Sequence, residues 1–228
     1  MQKRLVRKLE LERFLSSIES HPAPKVGLEQ YTISADVAAT ILYIAAYTND
    51  NIVEKRVLDL GCGTGRLTLG AAFLGAKTVV GVDIDMVAVR AAFENGVRSG
   101  LASKLQWVAG DVGVVNDGFD TVLENPPFGI QRHGADRMFL ETALQAGKRI
   151  YSLHSHAGKD DSLVGKLKAQ KGQFVSVPPS AFLENFIERR GGRVEAVYAM
   201  LMTIPYMFDF HAKRRHEFVV DLYVIERT

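Results

Sequence analysis

Between residues 56 and 153 the chain alternates short, unbroken apolar runs with longer stretches whose apolar positions recur every three or four residues. Unbroken runs suit strands covered on both faces, and the 3.6-residue rhythm between them suits crossover helices. The spacing predicts parallel strands at 56–60, 78–83, 105–109, 119–123 and 149–153, with helices near 65–74, 86–98 and 136–146. Upstream, Leu5, Leu9, Phe14 and Ile18, with Val6 and Leu11 beside them, predict one apolar face of a helix over 3–19, its opposite face carrying Lys3, Arg4, Arg7 and Lys8. The two prolines of HPAPK end it, and a second helix runs from an N-cap at Ser34 through Ala46. Downstream, GKDDSLVGKLKAQKGQ is polar and gives no clear element, and PPSAFLENFIERRGG reads as a helix ended by glycines. The β-rich runs RVEAVYAMLMTIP and EFVVDLYVIE, with no helix between them, pair antiparallel as a hairpin at the sheet edge. The fold class is α/β: a doubly wound, mostly parallel seven-stranded sheet with helices on both faces and a C-terminal antiparallel hairpin. Residues 1–49 form a helical extension and 50–228 the sheet domain, together one compact unit.

Composition narrows the setting more than the chemistry. A net charge of +2 over 228 residues and a pI near 8.6 permit a nucleic-acid partner without requiring one. The lone cysteine, Cys62, allows neither an intramolecular disulfide nor a Cys-based zinc site, in keeping with a reducing compartment. No apolar run approaches the roughly 18 residues of a membrane span, so no membrane association and a cytoplasmic location are expected. His154, His156, His211 and His216 lack the carboxylate or cysteine spacing that completes a metal set, and no metal is expected.

The stretch VLDLGCGTGRLTLG sets Gly61, Gly63 and Gly65 between a buried strand and a helix, where the backbone must turn tightly and approach a ligand. Asp59 lies just upstream, and Asp83 ends the next strand, 22 positions beyond Gly61. In open α/β sheets an acid at that second strand end reaches ribose hydroxyls. Asp111 follows the third strand, and Asp85 reads as a helix cap. Over roughly residues 50 to 155 the pattern resembles the class I, Rossmann-like S-adenosylmethionine-dependent methyltransferases. That resemblance implies a donor crevice with glycines at the methionine part, Asp83 at the ribose and Asp111 at the adenine amine. Asp59, Cys62, Ile84, Val112 and Asn125 would line it.

After the fourth strand comes ENPPFG. An adenine exocyclic amine is a poor nucleophile, its lone pair being delocalised into the ring, and general-base removal of its proton is not available near neutral pH. Hydrogen-bond acceptors are the alternative. Asn125 offers its side-chain carbonyl and Pro126 its backbone carbonyl, with Pro126 and Pro127 stiffening the bend. Bonds from the amine to these acceptors strengthen as the nitrogen gains positive character. Phe128 would stack on a flipped base and Gly129 would leave room for it. The NPPF stretch resembles the amino-methyltransferase signature.

LEQY, DLGCGTG, GVDID, NPPFG, YSLH, PYMFDFHAKRR and VDLYVI together resemble one family, the ribosomal RNA adenine N6-methyltransferases of eukaryotes and their archaeal relatives. The resemblance implies that Gln30, Tyr31 and Thr32 help close the cofactor pocket, that rRNA or a ribosomal particle is the substrate, and that a small zinc-binding activator protein is a partner. The chain departs from the family in lacking a proline-containing stretch at Thr32–Ser34, in having Glu124 where apolar residues are commoner, and in a longer 158–179 segment. His154 ends the fifth strand beside the substrate side. Phe210, His211, Lys213 and Arg214, in a run where aromatics alternate with charges, suit stacking and phosphate contact, and Arg189, Arg190 and Arg193 offer a further basic cluster. Two other readings share the NPP acceptors or the sheet: methylation of a guanine 2-amino group or a protein glutamine amide, and a non-catalytic cofactor-binding scaffold in ribosome assembly.

Overall fold

The computed structural model describes residues 5–30, 32–116, 118–128, 134–158, 160–169, 174–205 and 215–228. Its sheet has eight strands in the order β3-β2-β1-β4-β5-β8-β7-β6. These are β1 Arg56–Leu60, β2 Thr78–Asp83, β3 Leu105–Ala109, β4 Phe119–Glu124, β5 Gly147–Ser155, β6 Val175–Ser176, β7 Gly192–Pro205 and β8 Arg215–Arg227. β1 to β5 are mutually parallel where they pair, and β8 enters antiparallel between β5 and β7. The seven strands expected are present, and the two-residue β6 adds an eighth. A strand that short leaves no alternation to read.

Helices α1 Lys8–Ser16, α2 Ala35–Tyr43 and α3 Arg66–Phe73 feed one large core on one side of the sheet. On the other side α5 Ala135–Ala146 and α7 Ala181–Glu188 pack Leu140, Leu144, Leu183 and Ile187 against Leu58, Val122 and Ile150. α4 Met86–Arg98 lies against β2 and β3. The polar segment after His154 contains an unexpected helix, α6 Asp161–Ala169, whose Leu163 and Leu167 cover Ala199 of β7. Two leucines four apart sufficed for one buried stripe, and the surrounding lysines hid it.

One N-terminal expectation is corrected. Leu5 and Leu9 are 59% and 57% exposed, while Leu11, Leu15 and Ile18 are buried. The helix begins only at Lys8, so Leu5 precedes it, and Leu9 and Leu11, two residues apart, point to opposite faces. Ser34 does sit at the N-cap of α2 with extended backbone, but its buried hydroxyl makes no capping bond. At its C-terminal end α2 loosens into a π-helical turn, Ile44–Thr48. That turn delivers Tyr47, whose hydroxyl accepts from Val6 N at 3.1 Å, and leads to Asn49 and Asn51, which both donate to the buried Tyr151 hydroxyl at 2.8 and 2.9 Å.

Past the end of β5 the hairpin continues: Leu201–Pro205 still pair with Arg215–Val219 after β5 has stopped at Ser155. β7 runs in the direction of β5, so this overhang projects from the end of the sheet where the parallel strands finish.

The re-phased α1 gives a direct test by urea unfolding. Leu15→Ala should cost about 2–5 kcal/mol, as for a leucine removed from a packed core, and Leu9→Ala less than about 0.5 kcal/mol. The reverse ranking would contradict the buried stripe.

Candidate active site

Strand register brings three loop starts level. Leu60 pairs with Val82 on one side and Glu124 on the other, so Gly61, Asp83 and Asn125 stand side by side at the sheet's C-terminal edge. A cavity opens there. Its walls are the loop residues 61–64 with Arg66 and Leu67, Asp83 and Ile84 after β2, Asp111 and Val112 after β3, and Asn125 and Pro127 after β4. Met138 and Phe139 of α5 close one side, and His21, residues 27–30, Thr32 and Ile33 close another.

The carboxylate of Asp83 shapes the glycine loop. Oδ2 accepts from Gly63 N at 2.8 Å and Oδ1 from Asp85 N at 2.8 Å. Burial raises its pKa, and these two amides oppose the rise. Gly63 has φ +54, and a Cβ there would meet nothing within 4 Å, so glycine serves backbone shape at this position. Gly65, at φ +88, serves space as well: a Cβ would stand 2.7 Å from the Trp107 ring. Asp59 anchors the start of α3, its Oδ2 accepting from Thr68 N at 2.8 Å and Thr68 Oγ1 at 2.5 Å. Its Oδ1 is buried without a partner among the described residues, and burial pushes its pKa up to about 7 despite the Thr68 bonds.

Asp85 does cap α4, accepting from Val87 N at 3.1 Å, but it does more. Gln30 Nε2 donates to its Oδ2 at 2.9 Å, Lys25 Nζ lies 3.1 Å from Oδ1, and His21 Nε2 lies 3.3 Å from Oδ2. Gln30 Oε1 in turn accepts from Lys25 N at 2.7 Å. Burial acts to raise the pKa of Asp85, but the Gln30, Val87 and Lys25 contacts outweigh it and hold the group at about 2. One carboxylate therefore fastens the segment that walls the cavity to the end of β2.

At the NPPF stretch, Asn125 Oδ1 is buried and has no hydrogen-bond partner among the described residues. Leaving a buried acceptor unpaired costs about 1–3 kcal/mol, so a donor reaching this oxygen would be favoured. Beneath it, neither Glu124 oxygen makes a hydrogen bond of normal geometry, and Glu124 is 1% exposed. Burial pushes its carboxyl up to about 8, the nearby Ser152 hydroxyl opposing and the Asp136 and Asp59 charges adding.

Of the residues singled out from the sequence, Gln30, Thr32, Asp59, Gly61, Cys62, Gly63, Asp83, Ile84, Asp111, Val112, Asn125 and Pro127 line this one cavity. Pro126 and Phe128 adjoin it without lining it; the Phe128 ring meets Phe218 of the overhanging hairpin edge-on at 5.7 Å. His154 is not at the surface. It is buried with Nε2 2.7 Å from Ser152 Oγ and its ring against Tyr223, and burial lowers its pKa to about 4. Arg190 and Arg193 are paired with Glu141, Glu195 and Glu226 at the opposite end of the sheet, where β7 begins beside Arg227, away from the cavity. Tyr31, Gly129, Phe210, His211, Lys213 and Arg214, like Lys3 and Arg4, lie outside the described residues. His21, Glu29, Arg66, Met138 and Phe139 were not foreseen in the wall. Arg66 alone carried a signal, as a charge directly after the glycine loop.

The cavity suits a nucleoside with an amino-acid tail. Asp83 and Asp111 offer acceptors at two strand ends, and Ile84, 57% exposed, offers an apolar face beside them. A family model described as ribosomal protein L11 methyltransferase (PrmA) matches residues 37–126. The chain is 40% identical to the rRNA N6-adenosine-methyltransferase METTL5 of Danio rerio, over 66% of this chain and 75% of that protein. It is 30% identical to the Drosophila melanogaster protein of the same name, over 95% and 94%. A crystal structure of a provisionally assigned RNA methyltransferase from Pyrococcus horikoshii superposes with a TM-score of 0.82 at 34% identity, covering 99% of this chain and 100% of that one.

Glu124 makes a pH-dependent prediction. Its carboxyl titrates near 4.5 when unfolded and at about 8 when folded, so the folded protein holds the extra proton between those values and loses stability as pH rises through them. Glu124→Gln, neutral throughout, should gain on wild type by about 1–4 kcal/mol across that window, measured by urea unfolding near its two ends. An equal gain at both ends would refute the buried-carboxyl account.

Proposed function

The chain belongs to the rRNA N6-adenosine-methyltransferase family that includes METTL5, and we propose that it methylates the exocyclic 6-amino group of one adenosine in structured rRNA. S-adenosylmethionine supplies an electrophilic methyl group when bound. In this reading the glycine loop and its neighbours hold the methionyl end, Asp83 the ribose, and Asp111 with Ile84 and Val112 the adenine. Residues 1–49 act as extension and lid, with Gln30 and Thr32 over the pocket.

The observation that carries the proposal is the partnerless, buried Asn125 Oδ1 in the wall of the cavity shared with Asp83 and Gly63. Asn125 Oδ1 accepts one amine hydrogen and the Pro126 carbonyl the other. The amine lone pair is thereby turned toward the methyl carbon, and both bonds tighten as the nitrogen becomes positive. Methyl transfer forms the N–C bond, breaks the S–C bond and leaves the amine one proton to shed. Phe128, held at the cavity's edge by Phe218, stacks on the extruded base, and the described part of the hairpin overhang projects from the same end of the sheet.

The substrate class rests on full-length likeness to rRNA methyltransferases rather than on the PrmA match, because residues 37–126 cover the donor half and stop at Pro126. A partner fits the same reading: β3 is an open edge of the sheet, and Val108 on it, with Met86, Phe93 and Val97 of the adjacent α4, leaves apolar surface exposed. A small zinc-binding activator would cover that surface. No helix among the described residues is long and apolar enough to cross a membrane, and the cytoplasm is the setting this reading assigns.

Incubation with rRNA and methyl donor, followed by mass spectrometry of the digest, should yield a single N6-methyladenosine. Asn125→Ala should lower turnover about 100- to 1000-fold while donor affinity stays close to wild type, the loss typical of removing one oriented polar group from a reacting centre. Undiminished turnover would remove the acceptor role, and methyl on guanine or on protein would replace the substrate.

A further inference from the structure

Arg66 is a cation in the cavity wall that lacks an anion among the described residues. It is the first residue of α3, directly after Gly65, and its side chain turns back to line the cavity. One Nη donates to the Ile33 carbonyl. Nε is buried with no hydrogen-bond partner, and among the described residues no carboxylate lies within ion-pair distance. Desolvation of this kind disfavours the charged guanidinium, which is tolerated when a ligand brings the missing charge. The planar fork of N–H groups matches the oxygens of a carboxylate or a phosphate.

The donor assigned above carries one anionic group, the α-carboxylate of its methionyl end. Asp83, Asp111, Ile84 and Val112 serve the ribose and base, which leaves the glycine-loop side for the amino-acid end, and Arg66 issues from that loop. An RNA phosphate is the other available anion. Against it, Arg66 is tied beneath the N-terminal segment through Ile33, itself 5% exposed, and not on the hairpin side that Phe128 and Phe218 occupy. Resting on the donor reading, we propose that Arg66 binds the donor's α-carboxylate and, by holding the Ile33 carbonyl at the same time, joins that carboxylate to the N-terminal wall of the cavity.

Titration calorimetry without RNA tests this with three ligands. S-adenosylhomocysteine has the carboxylate, its decarboxylated analogue keeps only the ammonium, and 5′-methylthioadenosine lacks the amino-acid end. Wild type should prefer S-adenosylhomocysteine to the decarboxylated analogue by about 10- to 100-fold, the range of a charge-assisted pair. Arg66→Met should erase that preference while leaving 5′-methylthioadenosine affinity unchanged, and Arg66→Lys should retain part of it. Equal weakening of all three ligands would mean that Arg66 only props the wall, and an unchanged preference would mean that another group takes the carboxylate; either result overturns the proposal. Loss of RNA affinity alone, by filter binding, would overturn it in favour of a phosphate. The wild-type preference needs no variant, so misfolding of Arg66→Met does not shelter the idea, and a wild type that binds none of the ligands would instead overturn the donor reading itself.

Discussion

One carboxylate receiving two backbone amides sets the geometry on which the cavity depends. Asp83 holds Gly63 N with one oxygen and Asp85 N with the other, so the loop after β1 and the turn after β2 have a common fixed point. Each amide would otherwise need water or a ligand, since neither loop has a strand partner at that position. The left-handed backbone at Gly63 and the start of α4 both follow from satisfying this one group. In the proposed reading, a ribose at Asp83 would use only the lone pairs the amides leave over, and so would meet a carboxylate whose direction is already settled.

Most of the sheet was legible because its central strands are largely buried and mostly apolar, as in VLDL and TVVGVD, where Asp59 and Asp83 are the exceptions. The hairpin was legible for the same reason, although its last strand lies inside the sheet, beside β5, and not at the margin. What escaped notice depended on contacts between distant residues. The phase of α1 was decided by packing against α2 and α3, which seat Leu11 and Leu15 and leave Leu9 in solvent. α6 was concealed by its own solvated lysines. In the cavity, strand ends carried their own signals, whereas His21 and Met138 arrive there through chain reversals that local pattern does not encode. His154 shows the converse: a polar residue at a strand end suggested a surface role, yet Ser152 and Tyr223 absorb it into the interior.

The electrostatics of the cavity are layered. Glu29, Asp59, Asp83 and Asp111 form a largely acidic wall, with His21 and Arg66 as its basic members. A cationic sulfonium is favoured in such a field, and the raised pKa of Asp59, about 7, makes part of that field depend on its protonation. Below the NPPF bend the polar groups are kept neutral by burial, Glu124 by taking a proton and His154 by giving one up. In the proposed reading the reacting amine would face oriented dipoles at Asn125 and Pro126, with the full charges set toward the donor.

Asp85 is both the first fastening of α4 and the point to which His21, Lys25 and Gln30 converge. These three attachments share one carboxylate, so its loss would release all three together and leave the start of α4 without its cap, while Arg66 at Ile33 and Asn95 at Glu19 would still hold the segment's ends. If residues 1–49 serve as the lid proposed above, admission of fresh nucleoside and departure of the spent one would require that shared carboxylate to let go, and its hold, rather than the width of the opening, would pace exchange.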